Sequence, residues 1–376
     1  MSVQIKQVNT KKELRQYIHL PAKIHKDHPN WIPPIYHEEW KYYNPKKNKT
    51  FAHSDTILFL AISDNIICGR IMGIINHKYN QQKNEKHARF CWLECDNDQE
   101  VAHALLSAVE NWAIKKGMEK IIGPFGFSDK DPQGVLIEGF EYKVAITTNY
   151  NFSYLPGIIE NEGYKKEVDC LSYHIIIPET LPDFYQKIYQ RTISNPKLNI
   201  IEFRKKKELK PFIIPVLQQV NESFADIYGF SSLDEKEMDE LAKKYVPLLD
   251  PRFVKVITDN NMQLLAFVIG IPNLGEGIIK SKGYLFPFGI FKILKASKRS
   301  EQLVLLLGAT KKEYRGKGLD VLLGTKMIKT AQKAGITEID SHLILENNHK
   351  MIAEVEKMGG KLYKRYRIYQ KQLKSL

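Results

Sequence analysis

The sequence predicts an α/β (α+β) chain made of two successive copies of one unit, each a mixed, mostly antiparallel sheet flanked by helices. Three observations predict it. KKGMEKI in the first half and KAGITEI in the second each close a helix on a glycine and enter a strand. Farther on, IIENEGYKKEVDC and EVEKMGGKLYKRY repeat a helix, a glycine stop (Gly163, Gly359) and a strand, in the same order. Within each copy, paired strand patterns precede the long helix. ILFLAISD and IICGRIMGII flank Asp64 and Asn65, and FVKVITD and MQLLAFVIGI flank Asp259 and Asn260. Pro178 and Pro182 break the strand pattern in IIIPETLPD, which divides the chain into units 1–177 and 178–376.

Each unit runs strand, helices, strands, helix, strand, helix, strand. KKELRQYIHLPAKI and KPFIIPVLQQVNESFADI supply the early helices. In the first unit Val101, Ala104, Leu105, Ala108, Val109 and Trp112 recur at helical spacing, with Lys115 and Lys116 in the last turn and Gly117 as the stop. In the second, Leu319, Leu322, Leu323, Met327, Ala331 and Ala334 form the apolar face, and Gly335 ends it. Strands over 118–122 and 338–345 follow. In the latter, Asp340, His342, Ile344 and Glu346 fall on one face.

Composition bounds the function. Across 376 residues, 43% hydrophobic and 26% charged content is ordinary for a globular protein with more than one core. No apolar run is long enough for a bilayer, and MSVQIKQVNT has no signal-peptide core, so a cytoplasmic location is expected. Cys91 and Cys95 sit four apart on a strand with no histidine pair at ligand spacing. The four cysteines are therefore expected to be buried free thiols, and no metal site is expected. The net charge is +13, with basic clusters at 204–207, 280–299 and 361–374. These read either as solvated faces or as attraction to an anionic ligand.

The chemistry concentrates between QLVLLLGAT, a buried-strand pattern ending at Thr310, and the helix beginning near Leu319. Between them lies KKEYRGKG. A strand, a short glycine turn and a helix start form an anion-binding arrangement, because unpaired N–H groups point outward and the helix dipole adds positive potential. Gly316 and Gly318 let the backbone approach a ligand, and Arg315 and Lys317 add charge. The corresponding turn in the first half, DNDQE, has no glycine and crowds Asp96, Asp98 and Glu100 at the helix start. Carboxylates cap a helix well and repel a pyrophosphate.

Residues 313–318 resemble the acyl-CoA-binding motif of the GNAT acyltransferase superfamily, [Q/R]-x-x-G-x-[G/A], with Glu at the leading position. LENNHKMIAEVEKMGGKLYKRY resembles that family's asparagine-to-glycine helix. Asn348 falls on the asparagine, Gly359 on the glycine, and Val355 where many members carry a tyrosine acid. The resemblance is firm over about 300–370 and extends to the first half through the order of elements, as in tandem-GNAT proteins. It implies two tandem GNAT-like domains. Acetyl-CoA or another acyl-CoA would be the cosubstrate, held at Thr310, Arg315, Gly316, Lys317, Gly318 and Asn348. A small-molecule or peptide amine acceptor would lie in the cleft between the units. Direct attack of a deprotonated amine on the thioester would follow, with His342 or Glu346 as the base. The first copy is expected not to bind coenzyme A. The alternatives are a non-catalytic acyl-CoA-binding or regulatory protein, and a Fem-like aminoacyl-tRNA-dependent transferase, whose substrate a basic surface would suit.

Two further stretches carry two readings each. GPFGFSDKDPQGVLIEGFE is either a wall of the acceptor cleft or an irregular connection. GYLFPFGIFKILKASKR, with clustered aromatics and spaced lysines, is expected to be a core-facing helix between two strands. Its other reading is a segment lying on a membrane surface or lining an acyl pocket.

Overall fold

The computed structural model describes residues 3–374. The first half runs β1 (Gln4–Gln7), α1 (Lys11–His19), α2 (Pro21–Ile24) and α3 (Tyr36–Tyr42), then the hairpin β2 (Ser54–Ser63) and β3 (Ile66–Asn76). It continues with α4 (His77–Lys83), β4 (His87–Cys95), α5 (Gln99–Lys115), β5 (Lys120–Gly123), β6 (Val135–Glu138), α6 (Leu155–Asn161) and β7 (Lys165–Ile176). The second half opens with α7 (Asp183–Ile193), β8 (Asn199–Glu202), α8 (Lys210–Ser223), α9 (Glu235–Tyr245), β9 (Val254–Thr258) and β10 (Leu264–Pro272). It ends with α10 (Gly275–Ser281), α11 (Gly289–Ser297), β11 (Gln302–Thr310), α12 (Leu319–Lys333), β12 (Glu338–Asp340), β13 (Ile344–Leu345), α13 (His349–Lys357) and β14 (Lys361–Gln372). All α-helices are accompanied by a mixed sheet that is antiparallel except at β4–β5 and β11–β12.

The echoes in the sequence have one physical basis. Gly117, Gly163, Gly335 and Gly359 follow α5, α6, α12 and α13 with φ of +77°, +81°, +76° and +82°. A Cβ at any of them would meet nothing within 4 Å, so the left-handed backbone, not space, calls for glycine. The Asp64–Asn65 turn likewise has both residues at positive φ, which matches the twist of the hairpin it joins.

The two halves share one sheet, because their last strands are exchanged. The order is β1-β2-β3-β4-β5-β14-β7-β12-β11-β10-β9-β8, with β6 on β14 and β13 on β7. β14, the last strand of the chain, lies between β5 and β7, and β7 from the first half pairs with β12 of the second. The exchange answers the reading of the basic tail. Arg367 holds the buried Asp169 carboxylate with Nε and Nη2 at 2.9 and 3.1 Å, and Lys371 holds Glu110 at 2.9 Å. These cations are neither a solvated face nor a ligand patch. They neutralise Asp169 on β7 and Glu110 on α5.

The strand expected over 338–345 is interrupted. His342 has φ +57°, its N–H goes to the Asp340 carboxylate at 2.6 Å, and the Ser341 N–H goes to the Tyr173 carbonyl. These side-chain and cross-strand bonds replace the regular ladder, and His342 leaves the face it was expected to share with Glu346. The segment 123–141 is an irregular connection for much of its length. Its carbonyls at Gly126 and Phe127 accept from the buried Arg89 guanidinium, and it then lays β6 across β14. The helix expected at 283–299 between two strands forms as α11, but the expectation that the segment's aromatics face the core is corrected. α11 buries only Gly289, Ile293 and Ala296, while Phe286, Phe288 and Phe291 are exposed. A nine-residue helix packed along one narrow stripe on α10 cannot bury Phe291 on its far side, and Phe286 and Phe288 lie in the turn before it.

Candidate active site

Strands β11 and β12 run parallel and pair only over 302–304 and 338–340. Beyond Val304 and Asp340 they part, and β11 continues through 305–310 with β10 as its strand partner. Those residues are half-buried or exposed, in contrast to the buried Leu303 and Val304. A split therefore opens, with Asp340 at its apex and the glycine turn 311–318 at its mouth.

At the mouth, Gly316 has φ +72° and open space around a notional Cβ. Gly318 has φ +84°, and a Cβ there would come within 2.6 Å of Thr192 Oγ1 and 2.8 Å of Ile188 Cγ2 on α7. The two glycines thus do different work: Gly318 admits α7, and Gly316 leaves the approach clear. α12 starts at Leu319 with no side-chain cap, so its first amides have no side-chain acceptor. The Arg315 Nε donates to the Thr310 carbonyl at 3.2 Å, which ties the turn to the end of β11. Lys317 Nζ lies 5.1 Å from the centre of the Tyr314 ring, its charge exposed. Asn348 sits apart from this turn in sequence and caps α13, its Oδ1 accepting from the Met351 N–H at 3.3 Å.

At the apex lies a polar cluster that the strand exchange assembles. Asp340, fully buried, accepts from Ser172 Oγ on β7 at 2.7 Å, from the His342 N–H, and from the Tyr363 hydroxyl on β14. A register shift in β14 between Leu362 and Lys364 bulges Tyr363 out of the ladder toward Asp340. Burial and the Asp340 charge drive the Tyr363 hydroxyl pKa far up, so it stays a proton donor. Lys364, also buried, donates to the Lys143 carbonyl at 2.6 Å, and burial lowers its pKa. His342 Nε2 lies 2.7 Å from Thr147 Oγ1 in the first half. The Thr147 hydroxyl has one proton to give, and the Ile146 carbonyl takes it at 2.6 Å. With the hydroxyl proton on that carbonyl, Nε2 carries the imidazole proton and Nδ1 keeps its lone pair; the other tautomer takes the Thr147 O–H at Nε2 instead. Burial lowers the His342 pKa below 6.5, although Asp340 opposes this, so the ring is neutral near pH 7. Glu346 is committed elsewhere: Lys166 Nζ lies 2.6 Å from one oxygen and the Asp169 N–H 2.9 Å from the other. Val355 is buried in the core of the second half, with no polar group to offer.

The equivalent split in the first half is filled. β4 and β5 pair over 87–89 and 120–122, but beyond them the Phe90 carbonyl accepts from the Phe125 N–H at 2.8 Å. Tyr154 closes the far end by donating to the Cys95 carbonyl at 2.7 Å. Asp98 caps α5 with bonds to the Glu100 and Val101 amides at 2.9 and 3.2 Å.

Sequence reasoning singled out the glycine turn, His342 and Glu346, placed Asp340 only on the same strand face, and missed Thr147, Tyr363 and Lys364. These three come from the far half or the exchanged strand, and no local pattern ties them to residue 340. It also missed a second cluster. His25 Nε2 bonds Glu94 at 2.8 Å, and its Nδ1 lies 3.1 Å from His28 Nδ1. His25 is stacked by Trp31 and Phe152. Residues 147–152 connect the two clusters, since Thr147 meets His342 and Phe152 stacks on His28 at 4.0 Å.

With the split, the glycine turn and the paired halves in view, the chain has the tandem GNAT fold. A tandem GNAT protein from the clavulanic acid biosynthesis pathway superposes with a TM-score of 0.57 at 11% identity, over 99% of both chains. A GCN5-related N-acetyltransferase from Sphaerobacter thermophilus gives 0.54 at 9% identity, over 99% of this chain and 96% of that one. In sequence, a bacterial ceramide synthase of Caulobacter vibrioides is 28% identical over 97% of this chain and 96% of its own length. Protein YghO of Escherichia coli is 27% identical over 96% and 94%. No protein-family model matches the chain. Among the described residues, no helix is long and apolar enough to cross a membrane.

Proposed function

We propose that the protein is an acyl-CoA-dependent N-acyltransferase. Loop 311–318 holds the pyrophosphate of acetyl-CoA or another acyl-CoA, and the thioester lies in the split between β11 and β12. The observation that carries this reading is the uncapped start of α12 at the mouth of an open split, set against a capped and filled counterpart in the first half. Arg315 and Lys317 supply charge beside the amides, and Thr310 fixes the loop through its carbonyl. Asn348 contributes by setting the start of α13.

In the reaction, the acceptor nitrogen adds to the thioester carbonyl carbon. The C–S bond breaks, sulfur leaves as thiolate with the electron pair, and the amine proton passes to a base. Most of the acceleration comes from holding the two reactants in contact. His342 Nδ1 is the base in this reading. Glu346 could serve only by giving up Lys166. A thiol pKa of about 8.5 makes the thiolate a tolerable leaving group, so Val355 in place of an acid does not forbid turnover.

The acceptor lies between the halves, where Thr147 and His342 meet. A ceramide is an N-acylated long-chain amine, and the name of the Caulobacter relative directs the choice of acceptor to that class of small-molecule amine. Four unpaired thiols suit a reducing compartment, and the cytoplasm is the location in this reading. The tRNA-dependent alternative loses part of one support, since Arg365, Arg367 and Lys371 of the basic tail are held in internal ion pairs.

Release of free thiol from acetyl-CoA and from long-chain acyl-CoA, measured with a panel of short- and long-chain amines, tests the proposal. The expected outcome is amine-dependent release that Gly316→Val removes. Binding of acyl-CoA with no release in the presence of any amine would favour a binding protein instead.

A further inference from the structure

The α10–α11 hairpin is the strongest unexplained feature of the surface. Of the sixteen large hydrophobic side chains left exposed in the described chain, seven fall between Ile279 and Leu294. Phe286, Phe288 and Phe291 are exposed to 74%, 70% and 66%. Scattered exposed apolar residues need no explanation, but a contiguous group marks an interaction surface.

The hairpin is not a loose end. A Cβ on Gly277 would come within 2.5 Å of Ile293 Cα, so the two helices cross at backbone contact. Ile278, Ile293 and Ala296 are buried, with Leu274, Ile271 and Val304 beneath. Its base is pinned to the first half, where the Tyr36 N–H donates to the Gly283 carbonyl at 3.1 Å and Tyr284 packs on Tyr36 with ring centres 4.9 Å apart. The outer residues Phe286, Phe288, Ile290, Phe291 and Leu294 therefore stand on a fixed platform.

Charge selects the partner. Residues 275–299 carry six basic side chains and one acidic one, Glu276, which is paired with Lys280. Lys292, Lys295 and Lys298 run along the side of α11 next to Phe291 and Leu294, long stems beside apolar rings. Two copies of the chain meeting face to face through this patch would set cations against cations. A bilayer with anionic headgroups offers both an apolar layer for the rings and negative charge for the lysines.

We propose that the α10–α11 hairpin docks the protein on the surface of an anionic phospholipid bilayer, with the aromatic tip in the headgroup–acyl boundary and the lysines on the phosphates. Ile146, the neighbour of Thr147, packs on the same apolar cluster as Ile278 and Ile293 of the hairpin, so docking would bring the His342 seam toward the bilayer surface. The docking itself does not depend on acyl transfer, and its test reads binding alone.

The full chain is sedimented with vesicles of phosphatidylcholine alone or with about 30 mol % phosphatidylglycerol. Binding to the anionic vesicles is expected, at least ~10-fold tighter than to neutral ones and weakened by salt. Phe286→Ser, Phe288→Ser and Phe291→Ser together should lower binding at least ~10-fold. Because all three side chains are exposed, the melting temperature should not change. Lys292→Glu, Lys295→Glu and Lys298→Glu together should erase the preference for anionic vesicles. No binding to anionic vesicles, or unchanged binding by the triple serine variant, would overturn the proposal. So would a doubled mass by light scattering without vesicles that the serine variant abolishes, since the patch would then seat a second copy.

Discussion

At residues 96–98 the chain turns from β4 into α5 and satisfies the new helix with its own Asp98 carboxylate; at 311–318 it turns from β11 into α12 and leaves the amides uncapped. Both turns follow a strand whose parallel partner peels away after three residues. In the first half the gap is closed by Phe125 and Tyr154, and in the second it stays open. The same fold element is thus a finished cap in one place and a receptor in the other. The difference lies in which group reaches the helix start first, a side chain of the chain itself or a ligand.

The largest effect expected is on the fold. Gly318→Val combines positive φ with a clash against Thr192 and Ile188. Left-handed strain and overpacking together should cost about 3 kcal/mol, read as a fall in melting temperature. Gly316→Val, with open space around it, should cost only the strain, about 1–2 kcal/mol, but should block the ligand. Equal losses from the two would break the distinction between a packing glycine and an approach glycine.

Next comes His342→Ala, which should lower kcat about 10²-fold while leaving acyl-CoA binding intact. The pH profile sharpens the assignment. Because burial lowers the His342 pKa below its ordinary 6.5, the neutral base persists at neutral pH. The ascending limb of kcat/KM that belongs to His342 should therefore lie below pH 6.5, separate from the higher limb set by the amine's own deprotonation, and with Val355 in place of an acid no tyrosine-like descending limb should follow. Full turnover by the alanine variant would move the base elsewhere.

Asp98→Ala should cost about 1 kcal/mol as a lost helix cap, seen in denaturant unfolding, without creating a second acyl-CoA site, because Phe125 and Tyr154 still fill the split. The last prediction concerns how the halves are held. Glu237 on α9 lies 3.0 Å from His53 and 3.2 Å from Lys78. Burial pushes its pKa up, but these partners and the Asp234 N–H outweigh that and bring it from 4.5 down to about 2. A depressed carboxylate pKa contributes stability above 4.5 that is lost as pH falls toward 2. Glu237→Gln should flatten the acid limb of a stability profile in that window. An unchanged limb would mean that the contact adds nothing.

Much of the fold was legible because it is written locally. Helix stops need glycine at positive φ, and the repeated stops at Gly117 and Gly335 announce the duplication. The glycine turn was legible for the same reason. The exchange of β7 and β14 was not, because an alternating strand pattern says which face is buried and not which neighbour it pairs with. Everything that depends on the exchange was lost with it, including Tyr363 and Lys364 beside Asp340 and the pairing of the basic tail. The aromatics in and before α11 read as core because periodicity cannot tell an inward apolar face from an outward one.

The contrast between an open and a finished helix start is tested most directly by calorimetric titration of the whole chain with acetyl-CoA, beside Gly316→Val. The account predicts one site per chain in the wild type and none in the variant. Two sites in the wild type, or one site that survives in Gly316→Val, would contradict it.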